Sequence, residues 1–390
     1  MDDHTTTAER APARMLRIEF TGSGSEYFRI WIINLLLTLV TLGLYLPFAK
    51  ARRLSYFYAN TVIDGHALSF HGDPWRMFRG FVLLAVLMGT YAIAGRFSPI
   101  AGLFAFVALC ALWPALWRAS LQFRLANTGW RGLRMGFRGD LASAYKTMLP
   151  VYIPALVAVG SQFLLLDPSL HANDPAQTER AGMLGLLWLA GSLVVLALLP
   201  WVLAMIKRYQ HGGYSYAGQQ TRLDVPTRRF YGLGGKTLLM CLLPVVLMGA
   251  LMALMFTAMR EAGGYSPKVA GIMVAMVLSY LLLFILIGPF FTARLQNMIW
   301  NGTQSAAVRF DSKLGFAALA WLTTKNWLLT ALTLSLYRPF AAVNTARLRL
   351  EAVSVRIEGD VESWVARHVD GAQDATGEAA GDFFGIDMGL

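Results

Sequence analysis

Residues 269–293 read VAGIMVAMVLSYLLLFILIGPFFTA and contain no Asp, Glu, Lys, Arg or His. A bilayer core of about 30 Å is crossed by roughly 20 apolar residues in an α-helix. Two further runs, Met183–Ile206 and Thr237–Met259, are as long and equally free of these residues. Because a soluble protein has no need for three such runs, the sequence predicts an integral membrane protein built from helices.

The composition agrees with a lipid environment. Of the 390 residues, 56% are hydrophobic and 15% are charged, whereas soluble domains are about 45–50% apolar and about 25% charged. The two cysteines, Cys110 and Cys241, lie inside apolar runs and give neither a disulfide framework nor a metal site. The net charge of +11 predicts basic loops facing anionic lipid headgroups, so we expect membrane lipids and no nucleic acid as partners.

Apolar segments and their flanking charges predict the topology. If the first and last segments enter the membrane and return, only Arg96, Arg180, Arg260 and Lys268 face the periplasm, which leaves 30 of the 34 Lys and Arg on the cytoplasmic side. The positive-inside rule therefore favours six crossings, two re-entrant terminal hairpins and cytoplasmic termini. Segment length leaves full crossing open for both ends. The eight segments are 30–48, 80–95, 100–117, 147–166, 183–206, 237–259, 269–293 and 327–343.

An internal repeat connects these segments. Residues 34–49, NLLLTLVTLGLYLPFA, match residues 326–341, NWLLTALTLSLYRPFA, at an offset of 292. A second match at offset 67 places Pro47 and Asn60-Thr61 on Pro114 and Asn127-Thr128. With weaker echoes after Pro200 and Pro289, the chain shows a five-fold unit of apolar helix, proline, basic extension and short β-like run.

Six short runs with near-alternating polarity predict strands that pair in a cytoplasmic sheet, the alternative being plain loops. The predicted fold is an all-α polytopic membrane protein with these short strands. Its domains are a disordered N-terminus at 1–15, a membrane domain at 16–360 and an acidic, disordered tail at 361–390. The six runs are 17–20, 67–70, 134–137, 219–223, 307–310 and 353–357.

The repeated residues resemble a known family. Glu26-Tyr27-Phe28, the run Leu42-Gly-Leu-Tyr-Leu-Pro-Phe-Ala-Lys50, Arg52-Arg53 and Asn60-Thr61 resemble the signature of the YjgN-like family of bacterial inner-membrane proteins. The likeness extends over roughly residues 16–360, although the Asn-Thr pair is lost or altered in the third and fourth units. It implies an inner-membrane location and a repeated fold, and it implies no activity.

No catalytic motif stands out, so we expect neither an enzyme nor a cofactor. The sequence Gly234-Gly235-Lys236-Thr237 ends like a P-loop, but Phe230 occupies the position of its first glycine. His66 and His71 are five residues apart, which places them on opposite faces of a strand. We therefore expect no metal site.

Two sets of residues remain as candidates. Basic residues near the helix-ending prolines are placed to contact headgroup phosphates or other anions, although they can equally serve topology alone: Lys50, Arg52, Arg53, Arg118, Lys207, Arg208 and Arg294. Polar residues within apolar segments indicate interhelical hydrogen bonds or a solute path: Asn34, Gln162, Lys325 and Asn326. The two functions that follow are a non-catalytic scaffold, regulator or lipid-binding protein and, as the alternative, a small-solute transporter or channel.

Overall fold

The computed structural model describes residues 14–154, 175–264 and 266–358. They form two compact units, residues 14–70 with 224–358 (unit 1) and residues 71–223 (unit 2). Most of the fourth apolar segment, Gln162 and the predicted tail at 361–390 lie outside the described residues.

Helices make up most of the described chain. Their bounds are α1 Gly24–Val40, α2 Leu46–Ala59, α3 Pro74–Phe97, α4 Pro99–Ala126, α5 Leu141–Met148, α6 Pro175–Gly212, α7 Thr227–Ala262, α8 Pro267–Gly302, α9 Phe316–Leu332 and α10 Arg338–Glu351, with a 3-10 turn at Leu149–Val151. Among the described residues five of them, α3, α4, α6, α7 and α8, are long and apolar enough to cross a membrane. The structure thus agrees with a polytopic helical membrane protein.

Twelve short strands connect the helices within the described ranges. They are β1 Arg14–Phe20, β2 Thr61–Ile63, β3 His66–Ala67, β4 Ser69–Phe70, β5 Thr128–Trp130, β6 Leu133–Phe137, β7 Tyr214–Tyr216, β8 Gln219–Gln220, β9 Arg222–Leu223, β10 Thr303–Gln304, β11 Val308–Ser312 and β12 Val353–Ile357. All six predicted runs contain a strand, so reading them as plain loops was wrong.

In unit 1 the strands pair in the order β3-β2-β1-β12-β11-β10. Strands β1 and β2 are antiparallel neighbours, and so are β11 and β12. Because α1 leaves from β1 and α2 ends at β2, this helix pair starts and finishes at the same sheet. The pair α9–α10 does the same between β11 and β12.

Two residues of the segment predicted to be disordered at the N-terminus, Arg14 and Met15, lie in a strand, and residues 1–13 lie outside the described residues. Strand β1 begins at Arg14, which pairs with Ile357 of β12. Leu16 in the same strand is buried. The pairing partner lies more than 300 residues away in sequence, so local composition could not indicate it.

The two terminal helix pairs turn in the same way. Gly43 and Ser335, at equivalent positions of the repeat, have φ of +94° and +75°. In each turn a threonine, Thr41 or Thr333, accepts a hydrogen bond at 3.0 Å from the backbone N–H of the tyrosine four residues later. The chain therefore breaks its helix at Gly43, and α2 begins one residue before Pro47.

Strand hairpins recur at the ends of α2, α4 and α6. Their two central turn residues both have positive φ, as in Asp64-Gly65, Arg131-Gly132 and Ala217-Gly218, which is the signature of a type I′ turn. In unit 2 the strands pair in the order β5-β6-β7-β8.

The Asn-Thr pair has a structural explanation. The side-chain amides of Asn60 and Asn127 donate to the carbonyl oxygens four residues earlier, each at 2.8 Å. Thr61 and Thr128 donate to carbonyl oxygens four residues earlier, also at 2.8 Å. These side chains supplement the hydrogen bonding of the final helical turn, where backbone donors become few; the carbonyls of Tyr56 and Phe123 also accept from the backbone N–H of Asn60 and Asn127.

The prolines do not separate membrane helices from basic extensions everywhere. Pro114, Pro200 and Pro289 lie inside single continuous helices. Pro47 and Pro339 instead lie in the first turn of new helices, where the missing N–H costs nothing. The basic residues after these three prolines therefore lie on the same continuous helix as the apolar segment before them.

Candidate functional site

Arg118 belongs to a buried junction in unit 2. Its Nε donates to the carbonyl oxygen of Gly139 at 2.7 Å, and the hydroxyl of Tyr209 donates to the carbonyl oxygen of Asp140 at 3.1 Å. The aromatic rings of Trp117, Phe137 and Tyr209 pack together beside these contacts. Arg118 Nε therefore holds the loop between β6 and α5, and a headgroup contact by its remaining donors stays a prediction.

A junction of the same design holds the loop between β1 and α1 in unit 1. Nη2 of Arg347 donates to the carbonyl oxygen of Gly22 at 2.7 Å, and the hydroxyl of Tyr56 donates to that of Ser23 at 2.9 Å. In both loops a Cβ added to the glycine would approach the strand's final phenylalanine within 3.0 Å. Only glycine fits this close approach.

The residue that follows each of these glycines begins the next helix. Asp140 accepts from the backbone N–H of Ser143 at 2.8 Å, and Ser23 accepts from that of Glu26 at 3.2 Å. Hydrogen bonds from Ser143 hold the pKa of the Asp140 carboxyl below its usual value. The sequence reasoning missed Arg347, Tyr56 and Tyr209. The recurring pattern Phe-x-Gly-Ser/Asp at 20–23 and 137–140 was the available signal.

The other basic candidates fall into two groups. Lys207 donates to the side-chain oxygen of Gln210 at 2.9 Å, and both Lys50 and Arg208 are half-buried. The second group is exposed: Arg52, Arg53 and Arg294.

Each exposed arginine lies over an aromatic ring of its own helix or of the adjoining turn. The guanidinium carbon of Arg52 is 5.7 Å from the centre of the Tyr45 ring, and that of Arg53 is 5.8 Å from Phe57. Arg294 lies 5.9 Å from Phe290. A guanidinium over an aromatic face is attracted by the ring, and its N–H donors remain able to bind an anion.

The polar membrane candidates differ in exposure. Asn34 and Asn326 are each 7% exposed, and the Oδ1 atom of each has no hydrogen-bond partner. The amide of Asn326 donates to the carbonyl oxygen of Ala341 at 3.3 Å and to Thr345 Oγ1 at 3.2 Å, as interhelical hydrogen bonding predicts. Lys325 is exposed on α9.

The equivalent hairpins carry different chemistry. At the offset of 292, the positions of Lys50, Arg52 and Arg53 are occupied by Ala342, Asn344 and Thr345. Asn344 donates to the Tyr337 hydroxyl at 3.3 Å, and Thr345 accepts from Asn326. The second hairpin thus uses these positions for internal hydrogen bonds, and the first hairpin presents charge there.

The described part of the chain contains no cluster of three His, Cys, Asp or Glu side chains that could hold a metal ion. The P-loop-like sequence lies within α7, with the Phe230 side chain buried. A helix cannot form the phosphate cradle of a P-loop, which requires a loop after a strand.

Comparison with known proteins agrees with this architecture. A family model described as bacterial protein of unknown function (DUF898) matches residues 15–383. The chain is 24% identical to the inner membrane protein YjgN of Salmonella typhimurium over 369 residues, which cover 88% of this chain and 89% of the relative. YjgN of Escherichia coli O157:H7 is 30% identical over 160 residues, covering 40% of this chain and 39% of the relative.

No solved structure matches the chain. The family match over most of the length agrees with the five helices that are apolar enough to cross a bilayer. The chain therefore belongs to the YjgN-like family of multi-pass bacterial inner-membrane proteins.

Proposed function

We propose that this protein is a non-catalytic membrane protein that binds anionic lipid headgroups through arginines at the ends of its apolar helices. The observation that supports this is the exposure of Arg52, Arg53 and Arg294, each stacked on an aromatic ring just beyond Pro47 or Pro289. A planar guanidinium binds phosphate oxygens in pairs, and a stacked one loses less freedom on binding. Such a surface suits a scaffold or a lipid-dependent regulator.

We also propose a membrane topology for the chain. Six segments cross the membrane, the terminal hairpins enter and return, and the strands and both termini face the cytoplasm. Support comes from the distribution of Lys and Arg and from the return of both hairpins to the sheet of unit 1. We further propose that the five-fold recurrence of helices and strands reflects one repeated unit.

The two hairpins offer a matched exchange that tests headgroup binding. Arg52→Asn with Arg53→Thr gives the first hairpin the residues that the second hairpin already carries. Each basic residue near an anionic surface contributes about 1 kcal/mol, or about a fivefold change in affinity. Native mass spectrometry with cardiolipin or phosphatidylglycerol should therefore show a clear loss of bound lipid.

Conservative variants separate specific binding from simple charge. Arg53→Lys keeps the charge and loses the planar fork, so a phosphate site should weaken, whereas a residue that serves only topology should not respond. Arg208→Lys provides the comparison at a half-buried position. Equal lipid retention by the wild type, the exchange variant and Arg53→Lys would contradict the proposal.

The alternative is a small-solute transporter or channel. The observation that favours it is the pair of buried amide oxygens of Asn34 and Asn326, which lack hydrogen-bond partners, because buried polar groups within a membrane often mark a pathway. Solute release from proteoliposomes that contain the protein, lost in Asn34→Leu or Asn326→Leu, would support this second function.

A further inference from the structure

The turns of both terminal hairpins present apolar side chains outward. Leu42 is 94% exposed and Leu334 is 89% exposed. Val40 and Leu332, which flank these turns, are also largely exposed. Four such side chains beside tight turns need an apolar environment, and neither turn is covered by the rest of unit 1.

Charged side chains mark how deep the first hairpin can lie. Arg29 on α1 and Arg52 on α2 are both exposed, so their charges must stay at the headgroup level. At 1.5 Å per residue, Val40 lies about 17 Å beyond Arg29 and Leu46 about 9 Å from Arg52 along the helices. Half of a hydrocarbon core of about 30 Å is about 15 Å.

Charged side chains limit the second hairpin to a shallower depth. Lys325 on α9 is exposed, and Leu332 lies about 11 Å farther along that helix. Arg338, four residues after Leu334, is exposed at the start of α10. With charges this close to the turn, the apolar tip cannot reach the far side of the bilayer.

We propose that the two terminal hairpins are wedges that occupy only one leaflet of the membrane. Their ligand is the acyl-chain region of the leaflet on the side of the sheet. This inference rests on the re-entrant topology proposed above and adds both a depth and a function to it.

A single-leaflet wedge has a physical consequence. A helix that crosses the bilayer adds area to both leaflets, whereas a hairpin that stops midway expands one leaflet alone. Insertion of this kind becomes more favourable where that leaflet is convex and its headgroups are spread apart, which makes it sensitive to curvature. The protein should therefore concentrate in curved membrane that is convex on the side of the sheet.

Depth can be measured with a fluorophore on Leu42→Cys or Leu334→Cys, after Cys110 and Cys241 are replaced by Ala. Phospholipids brominated at a chosen acyl position quench a fluorophore at the same depth. We expect the strongest quenching from bromine in the lower acyl chain, and no labelling of either tip by an impermeant reagent. Tip labelling from the side opposite Ala306→Cys would overturn both the topology and the wedge.

Curvature preference is measured on single vesicles of mixed diameter, each carrying fluorescent lipid and fluorescent protein. Among molecules with the sheet outside, we expect the protein density to rise severalfold from large to small vesicles. The double variant Leu42→Asn with Leu334→Asn should remove that rise. Met15→Asn, which also replaces an exposed apolar side chain, should keep it.

The depth measurement and the curvature measurement can contradict the proposal independently of each other. A tip that lies in the near leaflet together with a protein density independent of vesicle diameter would overturn the wedge and leave the topology intact. If the double variant does not fold, the wild-type density profile alone decides the question.

Discussion

The guanidinium of Arg118 donates to a loop carbonyl, whereas that of Arg53 lies exposed over Phe57. Both arginines occupy the basic stretches that follow apolar segments, so sequence alone assigned them the same candidacy. The difference comes from Gly139, which follows β6 and accepts from Arg118. The packing of the β5–β6 hairpin against α4 makes this contact, and the local sequence around Arg118 does not indicate it.

Tyr209→Phe tests the structural role of the hydrogen bond from Tyr209 to the loop between β6 and α5. Removing the hydroxyl leaves the carbonyl oxygen of Asp140 without this donor, which should cost about 1 kcal/mol. We expect a lower thermal unfolding midpoint in detergent with unchanged lipid binding. Tyr231→Phe, on the exposed face of α7, is the matched control and should leave the midpoint unchanged. Equal midpoints for both variants would refute the role given to Tyr209.

At the scale of elements, the sequence predicted what has a local signature. The alternating runs at 134–137 and 353–357 became β6 and β12, and the apolar runs became the long helices. Three-residue strands such as β2 and β5 are too short to show alternation. The hairpin turn at Asp64-Gly65 had a recognisable signal, whereas Arg131 and Ala217 at the equivalent positions of the other turns did not.

The turns of the terminal hairpins allow a reciprocal prediction. Gly43 and Ser335 share a left-handed backbone conformation, which costs a residue with a Cβ about 1–2 kcal/mol relative to glycine. Ser335→Gly should therefore raise the thermal midpoint, and Gly43→Ala should lower it. Gly249→Ala, inside α7, has open space around the added Cβ and should raise the midpoint, because alanine is the better helix former; it shows that adding a Cβ does not itself destabilise. The two substitutions must shift the thermal midpoint in opposite directions. A higher midpoint for Gly43→Ala would refute the equivalence of the turns.

For the whole molecule, flanking charge predicted a topology that segment length opposed. Residues 30–48 are long enough to cross, yet their two helices begin and end at the same sheet. This arrangement depends on the pairing of β1 with β2 and of β11 with β12. Alternation predicted β1, β11 and β12 as strands, but it does not indicate which strands pair. The candidate lipid-binding residues were predictable as a set, but not which of them stay exposed.

Cysteine labelling in intact cells tests that topology, starting from a variant without Cys110 and Cys241. His66→Cys, Gln220→Cys and Ala306→Cys place thiols on exposed positions beside the strands, and Phe97→Cys and Glu261→Cys place them at the opposite ends of α3 and α7. A membrane-impermeant maleimide should label only the last two, because the positive-inside rule predicts that the side with 30 of the 34 basic residues faces the cytoplasm. Permeabilised cells provide the control, since all five thiols should then react. Labelling of His66→Cys or Ala306→Cys in intact cells would place the strand side outside the cytoplasm and would contradict the proposed topology.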